Sequence, residues 1–154
     1  LDAAPHSPDL PHAVLFACSF NAVRSPMAEA ILRHLAGRQI YVESAGVRAG
    51  DLDPFAVAVM EEIGIDMSKH TPQEIADLYD SSFDLVVSLS PEAHHKALEM
   101  TRTQAIEAEY WPTFDPTASS GSREQILDAY RQVRDMLFKR IKAQFPPPGA
   151  SADV

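Results

Sequence analysis

Ala13-Val14-Leu15-Phe16-Ala17-Cys18-Ser19-Phe20-Asn21-Ala22-Val23-Arg24-Ser25 is the stretch that decides how this chain reads. The apolar run 13–17 predicts a buried strand, Cys18 leaves it, and after a short loop Arg24 and Ser25 open a helix. A strand-to-helix loop aims several backbone N–H groups at one point, and the helix N-terminus adds partial positive charge there. Ser19, Phe20, Asn21, Ala22, Val23, Arg24 and Ser25 thus form a seat for phosphate or a similar oxyanion. The same field favours the thiolate of Cys18, the nucleophilic form of cysteine. Arg24 carries a planar fork that holds two non-bridging oxygens at once. Ser25 is placed to cap the helix and to donate its hydroxyl toward the sulfur. A lone cysteine at a strand end is most often a small buried hydrophobe, and Cys-x5-Arg-Ser alone recurs by chance. The strand before it and the helix after it favour the catalytic reading.

Working outward, strands and helices alternate. In the first helix Pro26 occupies the first helical position, Met27, Ile31 and Leu35 follow helical spacing, and Gly37 marks the stop. Residues 40–44 read as a second strand ending at Ala45-Gly46. Pro54 opens a helix through Val59 and Ile63 to Gly64. Thr71-Pro72-Gln73-Glu74 has the form of a capping box and predicts another helix start. Residues 83–89 read as a third strand, Ser90-Pro91 as the start of the next helix, and 105–110 as a short fourth strand. A last helix begins at Ser122, with Gln125 as cap partner, and carries Ile126, Tyr130, Val133, Leu137 and Ile141 on one face. Strands separated by helices imply a parallel sheet with helices on both faces, and ligands bind such sheets beyond the carboxyl ends of the strands. The loop after the fourth strand belongs at that edge. Its Asp115-Pro116 reads most simply as a turn. It also sets a carboxyl on the edge of Cys18, where phosphoryl transfer through a thiolate needs an acid for the leaving oxygen and then a base for water. The other Asp-Pro, Asp53-Pro54, opens a helix.

Composition narrows the class. The 154 residues, 45% hydrophobic and 23% charged, suit one compact domain, and no apolar run is long enough to span a membrane. Residues 1–12, with Pro5, Pro8 and Pro11, lack the regions of a secretory signal and are expected to be a flexible lead-in. The Pro-rich segment 146–154 is expected to be a flexible tail. One cysteine allows no internal disulfide, which fits a reducing cytoplasm. A net charge of −9 argues against nucleic-acid binding and repels anionic substrates at long range, so affinity for one has to come from the loop itself. Adjacent His94 and His95 diverge on a helix, and His34 and His70 have no partner at ligand spacing. They read as solvated or structural residues, and no metal or other cofactor is expected.

Residues Val14 to Glu29 resemble the low-molecular-weight protein tyrosine phosphatases and the thioredoxin-linked arsenate reductases that share their fold. The likeness runs on through Ser44-Ala45-Gly46, Asp53-Pro54, Gly64-Ile65-Asp66, Asp84-Leu85-Val86-Val87 and Trp111 to Asp115-Pro116. It continues into Tyr130-Arg131-Gln132-Val133-Arg134-Asp135, so that it covers residues 13–145. The expected fold is a single doubly wound α/β domain with a four-stranded parallel sheet in the order 2-1-3-4. The resemblance implies Cys18 as nucleophile, Arg24 as oxyanion ligand, Ser25 tuning the thiolate, Asn21 bracing the loop with Ser44, and Asp115 as acid/base. Arsenate reductases of this fold relay oxidation through two further cysteines, which fall at Ser90 and Ala97 here, so reduction would need an external thiol. Phe20 stands where the phosphatase loop usually has glycine, and Val23 where a second cysteine is frequent. Where phosphotyrosine-selective members carry aromatic residues, this chain has Arg48-Ala49 and Thr117-Ala118, leaving Phe20, Phe114 and Trp111 as candidates for a platform. The expected activity is cysteine-dependent hydrolysis of a phosphorylated protein or small phosphomonoester. The alternatives are arsenate reduction with an external thiol and an inactive phosphate- or partner-binding module.

Overall fold

A computed structural model describes residues 10–78 and 82–146. The expected flexible segments fall largely outside that range, although Leu10 packs against the core and the His12 carbonyl accepts from Tyr41 N–H at 2.8 Å. The elements in chain order are β1 (Ala13–Cys18), α1 (Arg24–Ala36), β2 (Tyr41–Gly46), α2 (Pro54–Glu61), β3 (Leu85–Ser88), α3 (Pro91–Met100), β4 (Glu107–Tyr110) and α4 (Arg123–Gln144). The strands form one parallel sheet, as the alternation of elements implies, in the order β2-β1-β3-β4 that the family resemblance implies.

β1 lies at the centre, and all six of its residues are buried. Its side chains alternate between two cores. Val14, Phe16 and Cys18 face the larger one, with Met27 and Ile31 of α1, Val87, Trp111, and Leu137 and Ile141 of α4. Leu15 and Ala17 face the smaller one, with Val86, Phe83, and Ala93 and Ala97 of α3. Small residues on that side let α3 sit close to the strands. Register aligns the carboxyl ends of the strands: Cys18 pairs with Gly46, Ala17 with Ser88, and Ser88 with Tyr110, so the loops after β1, β2, β3 and β4 leave the sheet together.

Local chemistry accounts for most helix boundaries. Ser122 Oγ accepts from Gln125 N–H and Gln125 Oε1 accepts from Ser122 N–H, a reciprocal box that starts α4. Asp53 and Ser90 accept from Phe55 and Ala93 N–H to start α2 and α3, each followed by proline. Gly37, at a φ of 59°, ends α1. α1 begins at Arg24, so Pro26 is its third residue rather than its first, which costs no intrahelical bond because the first-turn N–H groups have none. α2 stops at Glu61, two residues before Ile63, and turns through Gly64 at a φ of 79°.

Thr71-Pro72-Gln73-Glu74 starts no α-helix. Tertiary hydrogen bonds outcompete the local cap: Gln73 C=O accepts from Gly46 N–H at 2.8 Å, and Gln73 N–H donates to Asn21 Oδ1 at 3.0 Å. Only a 3-10 turn, Ile75–Leu78, follows.

Glu62, just past α2, docks that helix on α4. Arg131 and Arg134 donate to its two carboxylate oxygens at 2.8–3.1 Å. The Arg131 hydrogen bonds first, then those of Arg134, hold its pKa down to about 2 from an ordinary 4.5. A carboxyl whose folded pKa is depressed stabilises the fold above its unfolded value and loses that contribution as pH falls through the window. The stability of the protein is therefore expected to drop as pH falls from 4.5 toward 2. In Glu62→Gln that slope should be shallower, as read from urea midpoints across the same pH range.

Candidate active site

The loop between β1 and α1 takes its shape from where its carbonyls go. Cys18, Ser19, Phe20 and Ala22 C=O accept from the N–H groups of Val47, Arg48, Gly50 and Asp53 at 2.8–3.2 Å. The segment after β2 thus clasps the outside of the loop. No peptide in the described chain is cis, so each N–H points opposite to the carbonyl before it. The amides of Ser19, Phe20, Asn21 and Val23 consequently face away from that clasp, toward the inside of the loop. Gly46 permits the approach: a Cβ there would lie 2.7 Å from Asn21 N and 2.3 Å from Arg48 O.

Asn21 is the hub. It is fully buried and sits at a φ of 55°, a left-handed conformation that asparagine tolerates better than most side chains. Its Nδ2 donates to Ser25 Oγ at 2.8 Å and to Ser44 Oγ at 2.9 Å, the bracing expected of Ser44. Its Oδ1 accepts from Gln73 N–H and lies 2.8 Å from His70 Nε2. Because Oδ1 can only accept, His70 Nε2 carries the proton. Burial pushes the His70 pKa below its ordinary value, against the pull of Glu29. Ser44 in turn donates to Glu29, whose other oxygen pairs with Arg33 at 2.7 Å. Glu29, His70 and Gln73 have no spacing that marks them in the sequence. The one local sign is a glutamate among the buried residues of α1.

Cys18 is 2% exposed, and its Sγ lies 2.9 Å from Ser25 Oγ. Since Asn21 donates to that oxygen, the Ser25 proton is free to point at the sulfur. Ser25 does not cap α1: Val23 is the N-cap, and no side chain caps the first-turn amides of the helix. Arg24 is largely buried, donates to Thr113 C=O at 3.0 Å, and brings Nη2 within 3.8 Å of Asp115 Oδ2. The other Asp115 oxygen accepts from Thr117 N–H and Oγ1, which orients the carboxylate. A small cleft of about 40 Å³ has Cys18, Phe20, Arg24 and Asp115 among its walls. Tyr130 approaches from α4 and donates to Asp53 at 2.6 Å. Its pKa is raised, first by burial, then by Asp53 and more weakly by Asp115.

The two positions that bear on a thiol relay are also placed. Ser90 stands against the loop, its Oγ 3.1 Å from Ser19 Oγ, and Ala97 is buried on the inner face of α3. Cys18 is the one cysteine of the chain. Phe20 has no positive φ, so this loop places its left-handed residue at Asn21 instead of using a glycine at 20. Among the described residues no cluster of three His, Cys, Asp or Glu could hold a metal ion, and no helix is long and apolar enough to cross a membrane.

Residues 13–145 match the low molecular weight phosphotyrosine protein phosphatase family. The chain belongs to that family. An arsenate reductase of Bacillus subtilis is 36% identical over 129 residues, 84% of this chain and 91% of its own. An arsenate reductase solved in its phosphate-binding state shares 33% identity at a TM-score of 0.67, covering 85% of this chain and 94% of its own. The YwlE arginine phosphatase, solved as a mutant with a phosphorylated active-site serine, superposes with a TM-score of 0.69 at 26% identity, covering 84% and 91%. The family thus joins phosphatases and arsenate reductases on one oxyanion-binding scaffold.

The Asn21 hub makes a quantitative expectation. Asn21→Ala removes the hydrogen bonds to Ser25, Ser44, His70 and the Gln73 amide and sets alanine in a left-handed conformation. We expect a loss of about 3 kcal/mol of unfolding free energy in urea, with weaker binding of inorganic phosphate.

Proposed function

We propose that this chain is a cysteine-dependent hydrolase of phosphomonoesters. The observation that carries the reading is the convergence of Cys18, the Arg24 guanidinium and the Asp115 carboxylate on one cleft. The substrate phosphate sits in the loop, its equatorial oxygens on the inward amides and Arg24. Cys18 attacks phosphorus as the thiolate, the S–P bond forms as the P–O bond to the leaving group breaks, and Asp115 delivers a proton to that oxygen. Asp115, now a carboxylate, takes a proton from water as the water attacks phosphorus and the S–P bond breaks, which releases phosphate. Ser25 steadies the negative sulfur at both ends of the cycle. Phosphorylated proteins and small phosphomonoesters are the substrate class, no cofactor is required, and the lone thiol suits the reducing cytoplasm.

Arsenate reduction is the second reading, favoured by the name of the Bacillus subtilis relative. Here the Cys18 thiolate would attack arsenic as an As–O bond breaks and its oxygen leaves as water. An external thiol would then attack the Cys18 sulfur, breaking the S–As bond, releasing arsenite and leaving a mixed disulfide. A second external thiol would then regenerate Cys18, so the two electrons come from two thiol molecules. Ser90 and Ala97 supply no thiol to replace them.

Steady-state hydrolysis of p-nitrophenyl phosphate from mildly acid to mildly alkaline pH separates these readings. Cys18→Ser should abolish turnover, and Asp115→Asn should lower kcat by about 10²- to 10⁴-fold while flattening its pH dependence. A reduced wild-type protein that leaves the ester intact but consumes arsenate with added thiol is a reductase. One that only binds phosphate is a binding module.

A further inference from the structure

We infer that Tyr130 is a positioning residue of the oxyanion seat, holding the inward-facing Val23 amide in place through Asp53. The inference rests on the oxyanion-binding part of the proposed function and not on hydrolysis. Asp53-Pro54 reads in the sequence as a helix opener, and one oxygen of Asp53 does that work, accepting from Phe55 N–H at 2.8 Å. The cap leaves the other oxygen free. That oxygen accepts from the Tyr130 hydroxyl at 2.6 Å, a contact across 77 positions of sequence.

The main chain carries the effect to the seat. Asp53 N–H donates to Ala22 C=O at 3.2 Å. The Ala22–Val23 peptide is trans, so with its carbonyl turned out to Asp53 its N–H is turned in. Val23 and Arg24 both line the cleft over Cys18. Of the four bonds that clasp the loop, this one is the longest and the farthest along the chain from β2. Val47 follows directly on β2, and Arg48 is tied to Glu92 on α3 by a 2.7 Å ion pair. Residues 49–53 form neither strand nor helix, so the Asp53 end of the clasp needs an anchor of its own.

Tyr130 is rigid enough to be that anchor. Its ring is 2% exposed and packs on Phe55, with centroids 5.5 Å apart at 51°. It is carried on α4, whose buried face also holds Leu127, Val133, Leu137 and Ile141. Burial first, and then the hydrogen bond to Asp53, raises its pKa above the ordinary 10.0, so the hydroxyl stays a donor at neutral pH. Packing alone would be served by phenylalanine. The hydroxyl, aimed at the one Asp53 oxygen that the cap leaves free, is what packing does not require. Amides stabilise an oxyanion to the extent that they are aimed before it arrives, and a hydrogen bond weakens steeply as its angle closes.

The experiment is a double-mutant cycle read as the Kd of inorganic phosphate by titration calorimetry. Asp53→Ser keeps a capping oxygen for Phe55 N–H but has no second oxygen to offer Tyr130. Tyr130→Phe should raise Kd about three- to tenfold, and Asp53→Ser at least as much. In the Asp53→Ser background, Tyr130→Phe should add less than about a twofold change, because its route is already cut. Val133→Ala trims the same buried face of α4, and it should lower the urea midpoint while leaving Kd in place. An unchanged Kd in Tyr130→Phe or in Asp53→Ser overturns the inference. So does an equal effect of Tyr130→Phe in both backgrounds, or a matching rise in Val133→Ala, either of which makes packing the cause. A wild type that binds phosphate but hydrolyses no ester defeats the hydrolase reading alone, and the affinities still decide the role of Tyr130. If wild type binds no phosphate, both fail.

Discussion

The side-chain amide of Asn21 holds four groups at once, and the geometry of the site depends on it. Its Nδ2 reaches Ser25 and Ser44, and its Oδ1 takes His70 and the Gln73 amide. Those partners come from the adjoining start of α1 and from two regions remote in sequence, β2 and the segment after α2, which converge on one residue in a strained turn. The strain is offset because every polar atom of the amide is satisfied in a buried setting, where leaving one unmade is costly. Once the turn is held, the carbonyls on either side bond outward to residues 47–53 and the amides turn inward. The same network holds Ser25 Oγ 2.9 Å from Cys18 Sγ.

Charge is handled locally. A strongly acidic chain makes a seat for anions by orienting dipoles and burying one cation, not by surrounding the seat with positive side chains. Arg24 is fixed at both ends of its fork, by the Thr113 carbonyl and by proximity to Asp115, which ties the start of α1 to the loop after β4. The negative charge of Glu29, beneath the loop, is taken up by Ser44 and Arg33 rather than left facing the sulfur. A carboxylate on the open side and a carboxylate on the closed side therefore have different work: Asp115 faces the cleft, and Glu29 supports the bracing serine.

Much of this was legible in the residues, and the failures share one cause. The starts of α3 and α4 followed from Ser90-Pro91 and from the Ser122/Gln125 box, because a cap is satisfied by neighbours in the chain. Thr71-Pro72-Gln73-Glu74 has similar local credentials and forms no helix, because Gly46 and Asn21 claim the Gln73 peptide groups. Ser25 looked equally suited to capping and to facing the sulfur; Asn21 draws it inward and only the second role survives. The network that joins Glu29, His70 and Gln73 was not legible as a network. Hydrogen bonds between residues 49 or 52 positions apart leave no periodicity to detect.

By itself the sequence determined the alternation of strand and helix, the parallel sheet that follows from it, and the strand-loop-helix that joins Cys18 to Arg24. These rest on side-chain periodicity and caps, which act over a few residues. It also determined that Cys18 has no second thiol in the chain. Only the tertiary structure decided that Asp115 lies beside Arg24, that Asn21 carries the left-handed turn, and that Phe20 alone of three aromatic candidates lines the cleft. Each of those depends on the register that brings the ends of β1, β2 and β4 to one edge, and register is settled by packing across the whole sheet.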